Sequence, residues 1–363
     1  MKFRFENLDS IRTIAFLSTF LAHAFYAESQ EVLDSSMFQW AVKFREIFSF
    51  GVPVFFVLSG FLITYLMLKE ESNKEGFNIK NFYMRRVLRI WPVFFVVLLV
   101  GFVLFPLLRS YLLQIPYVET ANPWMYLSFL SNFDQINAGV LPFGVGLGPT
   151  WSVSIEEQFY LFWPLLLLLF SKKKFVIPIT LVTLLSFGLT IYYSFSSKHT
   201  IYCMLYLSIG GFYGYLAYYQ NVMAKLITNI SPWFFLFCIG LIFMLISGSF
   251  SSEYPVVYIF FIALLIGYCI LYQCYSGRME LKRLPFLERM GKYTYGLYLY
   301  HVIANFIVHI VIDDLTAIKE SSMNAVIVKP LLSLCLSVVL SYYSYRYVES
   351  YFLQLKKKFS PAN

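Results

Sequence analysis

Within the apolar stretch LDSIRTIAFLSTFLAH, Arg12 and His23 stand eleven residues apart. Eleven residues are about three helical turns, or roughly 16 Å of rise, so on one helix the two side chains share a face, with Thr19 on the same stripe. A second pair, Glu156 and Tyr160, is spaced i and i+4 in TWSVSIEEQFYLFWP and points the same way. Ionisable groups in such surroundings are costly unless paired or wet, which makes them functional candidates. If the two helices meet, Glu156 comes level with His23. A carboxylate beside an imidazole in a low-dielectric pocket raises its basicity and fixes its tautomer, as a general base for a hydroxyl requires. The competing reading is a buried hydrogen bond that only ties two helices together.

Arg85, Arg86 and Arg89 cluster in FYMRRVLRIWP. Arg85 and Arg89 share one helix face, and Arg86 is within reach of Arg89. Their forked guanidinium groups suit phosphate oxygens, so a nucleotide or coenzyme phosphate site is one reading. A positive anchor at the inner membrane surface is the other. His301, in GKYTYGLYLYH, is a candidate substrate contact or a satisfied helix-contact histidine. Arg346 and Glu349 are spaced for a local salt bridge. The five cysteines form no metal-spaced pair and read as small buried hydrophobes; no metal site is expected.

The elements that must position these groups follow from composition. Of 363 residues, 59% are hydrophobic and only 13% charged, about half the charged share of soluble domains. Too little polar surface remains to cover a soluble core, and disorder, a coiled coil and a small disulfide scaffold are excluded. Continuous rather than alternating apolar runs argue against a transmembrane β-barrel. The sequence therefore predicts an all-α, polytopic transmembrane bundle of about ten helices. They are expected near 10–28, 47–68, 88–108, 151–170, 175–195, 201–219, 232–249, 254–273, 292–312 and 327–350.

With the N-terminus inside, the inner side collects 20 of the 28 basic residues and the outer side six: Lys43, Arg45, Arg109, Lys198, Lys319 and Lys329. That bias predicts cytoplasmic N- and C-termini. It also explains the net charge of +8 without nucleic acid. The long outer connection 109–150 reads either as a turn-rich interfacial loop or as a partly buried element lining a substrate mouth. Residues 1–355 are expected to form a single transmembrane domain, and 356–363 a short basic cytoplasmic tail. No cleavable signal is expected at the N-terminus, and any activity is expected from the bundle itself or with separate partners.

Taken in order, these blocks resemble the acyltransferase-3 family of integral membrane O-acyltransferases. The resemblance is carried by LDSIRTIAFLSTFLAH, GVPVFFVLSGFLITYLM, FYMRRVLRIWP, TWSVSIEEQFYLFWP, GKYTYGLYLYH and YRYVESYF, and it spans almost the whole chain. It implies a core of about ten helices that transfers acetyl, or another short acyl group, from acyl-coenzyme A. The acceptor is commonly a sugar hydroxyl on a surface or secreted glycan. The resemblance implies His23 as base, Arg12 as its required partner, and Arg86 with Arg89 at the acyl-coenzyme A; it leaves the roles of Glu156 and Tyr160 open. This sequence has Ser10 and Thr13 where the family commonly has glycines, and VESYF where many members have proline after the glutamate. Those differences bear on helix packing or acceptor choice.

The resulting expectation is an O-acyltransferase of a bacterial inner (cytoplasmic) membrane, bounded by lipid, with acyl-coenzyme A, in the first place acetyl-coenzyme A, as donor and a glycan or other hydroxyl-bearing molecule as acceptor. The alternatives are a transporter or flippase for a glycan or lipid-linked sugar, and a non-catalytic scaffold in polysaccharide assembly.

Overall fold

The computed structural model describes residues 5, 7–73, 76–112, 114, 117–219, 229–247, 255–278, 280–314 and 320–360. Lys2, Arg4, Lys74, Lys225 and Lys319 of the loop-charge comparison lie outside the described residues, as do the last three residues of the expected tail.

Among the described residues every regular element is helical. Each segment expected from the sequence carries a main helix: α1 Leu8–His23, α2 Gly51–Glu71, α3 Ile79–Leu99, α4 Thr150–Leu168, α5 Val176–Tyr193, α6 Thr200–Tyr219, α7 Pro232–Ile246, α8 Pro255–Tyr275, α9 Thr294–His309 and α10 Lys329–Ser344. Six helical runs among the described residues are long and apolar enough to cross a membrane: Ser36–Glu71, Ile79–Tyr111, Lys172–Tyr193, Pro255–Tyr275, Thr294–Ile312 and Asn324–Phe359. Their outward faces are apolar; on α5, Leu181, Leu184 and Leu185 are all more than half exposed. A soluble protein would hide such a stripe, whereas lipid solvates it. The chain is a polytopic membrane protein.

Local chemistry sets the helix ends near the functional residues. Asn78 caps α3 by accepting the N–H of Asn81 at 2.9 Å, so the helix starts a full turn and a half before the arginines and holds them in its interior. The first helix stops at His23 rather than continuing to 28. Asn305 of α9 fastens that end by donating to the His23 carbonyl at 3.0 Å.

The tightest helix pair is α2 against α6. A side-chain carbon added at Gly60 would lie 1.9 Å from the Leu207 carbonyl oxygen, and one at Gly210 would lie 2.1 Å from that of Val57. Only glycine permits this approach, the usual device for packing helices where lipid supplies no hydrophobic drive.

One local expectation is corrected. Arg346 and Glu349 do not form the i,i+3 salt bridge, because residues Tyr345–Glu349 wind as a wider π-turn, which takes those positions off a common face. Arg346 lies over the Tyr347 ring at 5.5 Å, and Glu349 turns into the bundle, 6% exposed. The helical run continues through Ser350–Lys356 to Phe359, past the expected start of the tail.

Candidate active site

Two cavities open near opposite ends of α1. The smaller, about 230 Å³, is walled entirely by helices. It is lined by Arg12, Arg86 and Arg89, by Glu156 and Tyr160, and by Lys356. Arg12 keeps its charge balanced by Asp9 one turn away, at 2.7 Å. The guanidinium of Arg86 lies over the Phe82 and Tyr160 rings at 5.4 and 5.6 Å, and its buried Nε has no hydrogen-bond partner. A buried guanidinium nitrogen left open is costly unless something else binds there. Four cations around one cavity suit an anionic group.

Glu156 is bonded on this side of the bundle. Its carboxylate accepts the Ser59 hydroxyl at 2.6 Å and the Tyr160 hydroxyl at 3.2 Å.

The larger cavity, about 1090 Å³, holds His23 in its wall. His23 is exposed to this space, whereas His301 of α9 is completely buried. The two imidazoles stack at 5.2 Å with planes 17° apart, and His23 Nδ1 lies 2.9 Å from His301 Nε2. His301 Nδ1 lies 2.6 Å from the Tyr298 carbonyl oxygen. That oxygen only accepts, so His301 Nδ1 carries a hydrogen and Nε2 of the neutral ring presents a lone pair. His23 Nδ1–H therefore donates to it, and His23 Nε2 is left as the basic nitrogen.

The two cavities share Val52, Phe56 and Tyr298 in their walls. The Tyr298 hydroxyl sits 2.5 Å from that of Ser152.

These placements sort the residues singled out from the sequence. Arg12, Arg86, Arg89, Glu156 and Tyr160 come together. His23 stands apart from them, at the other end of its helix. The partner expected for it, Glu156, is replaced by His301, which is buried behind His23 and lines neither cavity. Arg85 also leaves the group: one terminal nitrogen lies 2.6 and 2.8 Å from the two Glu70 carboxylate oxygens, and the other donates to the Phe359 carbonyl at 2.7 Å. It ties the third helix to the last. Lys356 was missed by sequence reasoning, where it counted only as one of three lysines in a basic tail. Among the described residues no three His, Cys, Asp or Glu side chains group as a metal site.

The segment 109–150 lines the larger cavity through Arg109, Leu141, Gly148 and Pro149. Short helices Pro123–Leu127 and Ser131–Ala138 brace it. From the second, Gln135 donates to the Gly148 carbonyl at 3.0 Å and accepts from the Lys198 ammonium at 2.9 Å. Burial pulls the Lys198 pKa below its ordinary value.

The site is thus a membrane helical bundle with a cation-lined cavity at one end and an oriented imidazole at the other. Comparison with known proteins agrees: the chain belongs to the acyltransferase-3 family, whose acyltransferase-domain model matches residues 5–346. Over 165 residues it is 35% identical to a putative O-acetyltransferase of Staphylococcus aureus (strain COL), a match covering 41% of this chain and 26% of that protein. Over 129 residues it is 34% identical to the peptidoglycan O-acetyltransferase OatA of Listeria monocytogenes, covering 34% of this chain and 20% of that one. An uncharacterized protein of Haemophilus influenzae is 34% identical over 162 residues, 41% of this chain and 61% of that protein. The matched region is thus about a quarter or less of the length of the first two relatives. No solved structure matches the chain.

Proposed function

We propose that this protein transfers an acetyl or other short acyl group from acyl-coenzyme A to a sugar hydroxyl of a surface or secreted glycan. It does so across a bacterial cytoplasmic membrane that it crosses ten times, with both described ends inside. The observation that carries the reading is the pair of cavities with a common wall at Val52, Phe56 and Tyr298. The loop-charge bias supports an orientation with the arginine end in the cytoplasm, where the donor is made, and the His23 end outside.

Donor phosphates, too polar to cross lipid, stay with Arg12, Arg86, Arg89 and Lys356. The thioester arm passes inward along Tyr160 towards Tyr298. The acceptor enters the larger cavity and places its hydroxyl against His23 Nε2. As oxygen attacks the thioester carbonyl, His23 takes the hydroxyl proton. His301 keeps its acceptor lone pair on His23 Nδ1–H and steadies the imidazolium. Collapse of the tetrahedral adduct expels coenzyme A thiolate, which is reprotonated to the thiol. Tyr298, on the shared wall, offers a hydroxyl at the meeting point, where donors to a developing oxyanion count most. In this reading His301 is a positioning residue, and Glu156 holds Ser59 and Tyr160 along the donor arm's route.

The test is purified protein in nanodiscs supplied with radiolabelled acetyl-coenzyme A and cell-envelope glycans. Glycan-dependent release of free thiol with label retained on the sugar is expected. Glycan movement across the bilayer with the thioester intact would instead mark a transporter, and neither activity would mark a scaffold.

A further inference from the structure

The larger cavity has an unusual charge pattern for a space inside a membrane protein. Its wall carries Arg45, Arg109 and Lys198 against one carboxylate, Glu28. The three cations come from separate elements: the helix Ser36–Ile47, the π-turn Leu108–Leu112, and the turn that precedes α6. None makes an ion pair among the described residues. Arg109 lies over the Phe143 ring at 5.9 Å, and its buried Nε has no hydrogen-bond partner. The acids nearby in sequence are occupied. Glu28 accepts the Tyr26 hydroxyl at 3.0 Å. Glu119, outside the wall, accepts the N–H groups of Thr120 and Ala121 at 2.9 Å and of Phe143 at 3.3 Å. Glu320, also outside it, is bonded to Lys329 at 3.1 Å.

The same three residues are exceptions to the loop-charge rule. Six basic residues fall on the outer side. Lys319 lies outside the described residues, Lys329 has Glu320, and Lys43 sits over the Trp40 ring at 5.6 Å. The other three all face this cavity. Positive groups gathered against the topological bias, with one carboxylate among them in the cavity wall and no ion pair among the described residues, are stabilised when an anion arrives. A neutral sugar would be served by amides and aromatic faces alone.

We propose that the larger cavity seats an acidic acceptor, a glycan whose carboxylate or phosphodiester lies against Arg45, Arg109 and Lys198 while a hydroxyl meets His23. This names the acceptor class for the acyl-transfer reading and rests on it for the chemistry, though not for the binding. The cavity volume is just above the range for small-molecule pockets, and Trp151, Tyr202 and Tyr206 in its wall offer aromatic faces to sugar rings.

Binding separates the two ideas. The protein is placed in phosphatidylcholine nanodiscs without acyl donor and titrated with labelled trigalacturonate, its carboxyl-reduced galactose counterpart, and a glycerol-phosphate trimer. At least one acidic probe should bind about tenfold or more tightly than the neutral one, the scale of a charge-assisted contact, and should weaken with salt. Which acidic probe wins identifies carboxylate or phosphodiester. Arg109→Gln should bring acidic and neutral probes close together, whereas Arg109→Lys should keep most of the difference. Equal binding of all three probes to the wild-type protein overturns the proposal, whatever the variants do. An acid preference without thiol release from acetyl-coenzyme A would sink acyl transfer and leave the anion site standing. Equal transfer to matched acidic and neutral glycans would do the reverse.

Discussion

The two cavities hold charge in opposite ways. Around the smaller one, cations sit among acids and aromatic rings: Arg12 with Asp9, Arg86 between Phe82 and Tyr160, and the neighbouring Arg85 clamped by Glu70. Its walls are helix throughout. The larger cavity is closed partly by connecting segments, at Tyr26, Glu28, Leu141 and Lys198, and among the described residues its cations make no ion pair. Helical walls hold one geometry, because packing fixes it. Loop walls can be altered without disturbing the bundle, which leaves the shape of the larger cavity open to change. On the proposed function, the chemistry lies where the rigid half meets the variable half.

That contrast can be broken or sharpened by substitution. The largest effect is expected for His23→Ala, which should lower the turnover of acyl transfer by about a hundred- to ten-thousandfold, the contribution of a positioned base. Donor binding, followed with a non-hydrolysable coenzyme A thioether, should be unchanged; a shared loss would mean that the two ends are not separate. Next come Arg86→Gln and Arg89→Gln, each expected to raise the KM for acetyl-coenzyme A about tenfold or more while sparing acceptor affinity. An unchanged donor KM would return the arginines to the role of membrane anchors.

His301→Leu should cost about tenfold or more in kcat by freeing the imidazole of His23 to turn, a smaller loss than removing the base itself. His301→Gln, whose side-chain oxygen can still accept from His23 Nδ1, should recover part of it. The pH–rate profile distinguishes this from simple misfolding, since its acidic limb should shift between the two variants.

The smallest effect concerns a strap at the wide end. Glu320 accepts the N–H of Ser29 at 2.7 Å and of Glu28 at 3.1 Å, besides the Lys329 ammonium at 3.1 Å. Burial pushes its pKa up, but these bonds outweigh that and hold it below the ordinary value. A depressed carboxylate pKa contributes stability above the unfolded-state value and loses it as pH falls through the folded one. Acidification through the carboxylate range should thus lower the thermal midpoint of the wild type more than that of Glu320→Gln, by at most about 1 kcal/mol of stability. Identical acid profiles would show that the strap contributes nothing.

The sequence made the bundle legible because lipid leaves few options: long apolar runs must be helices. The arginine end was legible for a related reason, since Arg86 and Arg89 stand out in an apolar helix. Partners across helices were not. Glu156 was expected to face His23, but depth along a helix axis says nothing about rotation around it, and Ser59 and Tyr160 hold the carboxylate elsewhere. His301 was singled out without its partner for the same reason. Lys356 was hidden in a lysine run, and the close α2–α6 contact had a signal, the four-residue spacing of Gly210 and Gly214, that went unread.

The glycine contact between α2 and α6 constrains how anything travels between the two chambers. With the Leu207 carbonyl occupying the place of a Gly60 side chain, the two backbones interlock, and neither helix can slide or roll without forcing the other away. This seam acts as a keel. Val52 and Phe56 therefore stand on the fixed side of both chambers, while Tyr298, the third residue common to both, hangs from α9 and is tethered by the Ser152 hydroxyl.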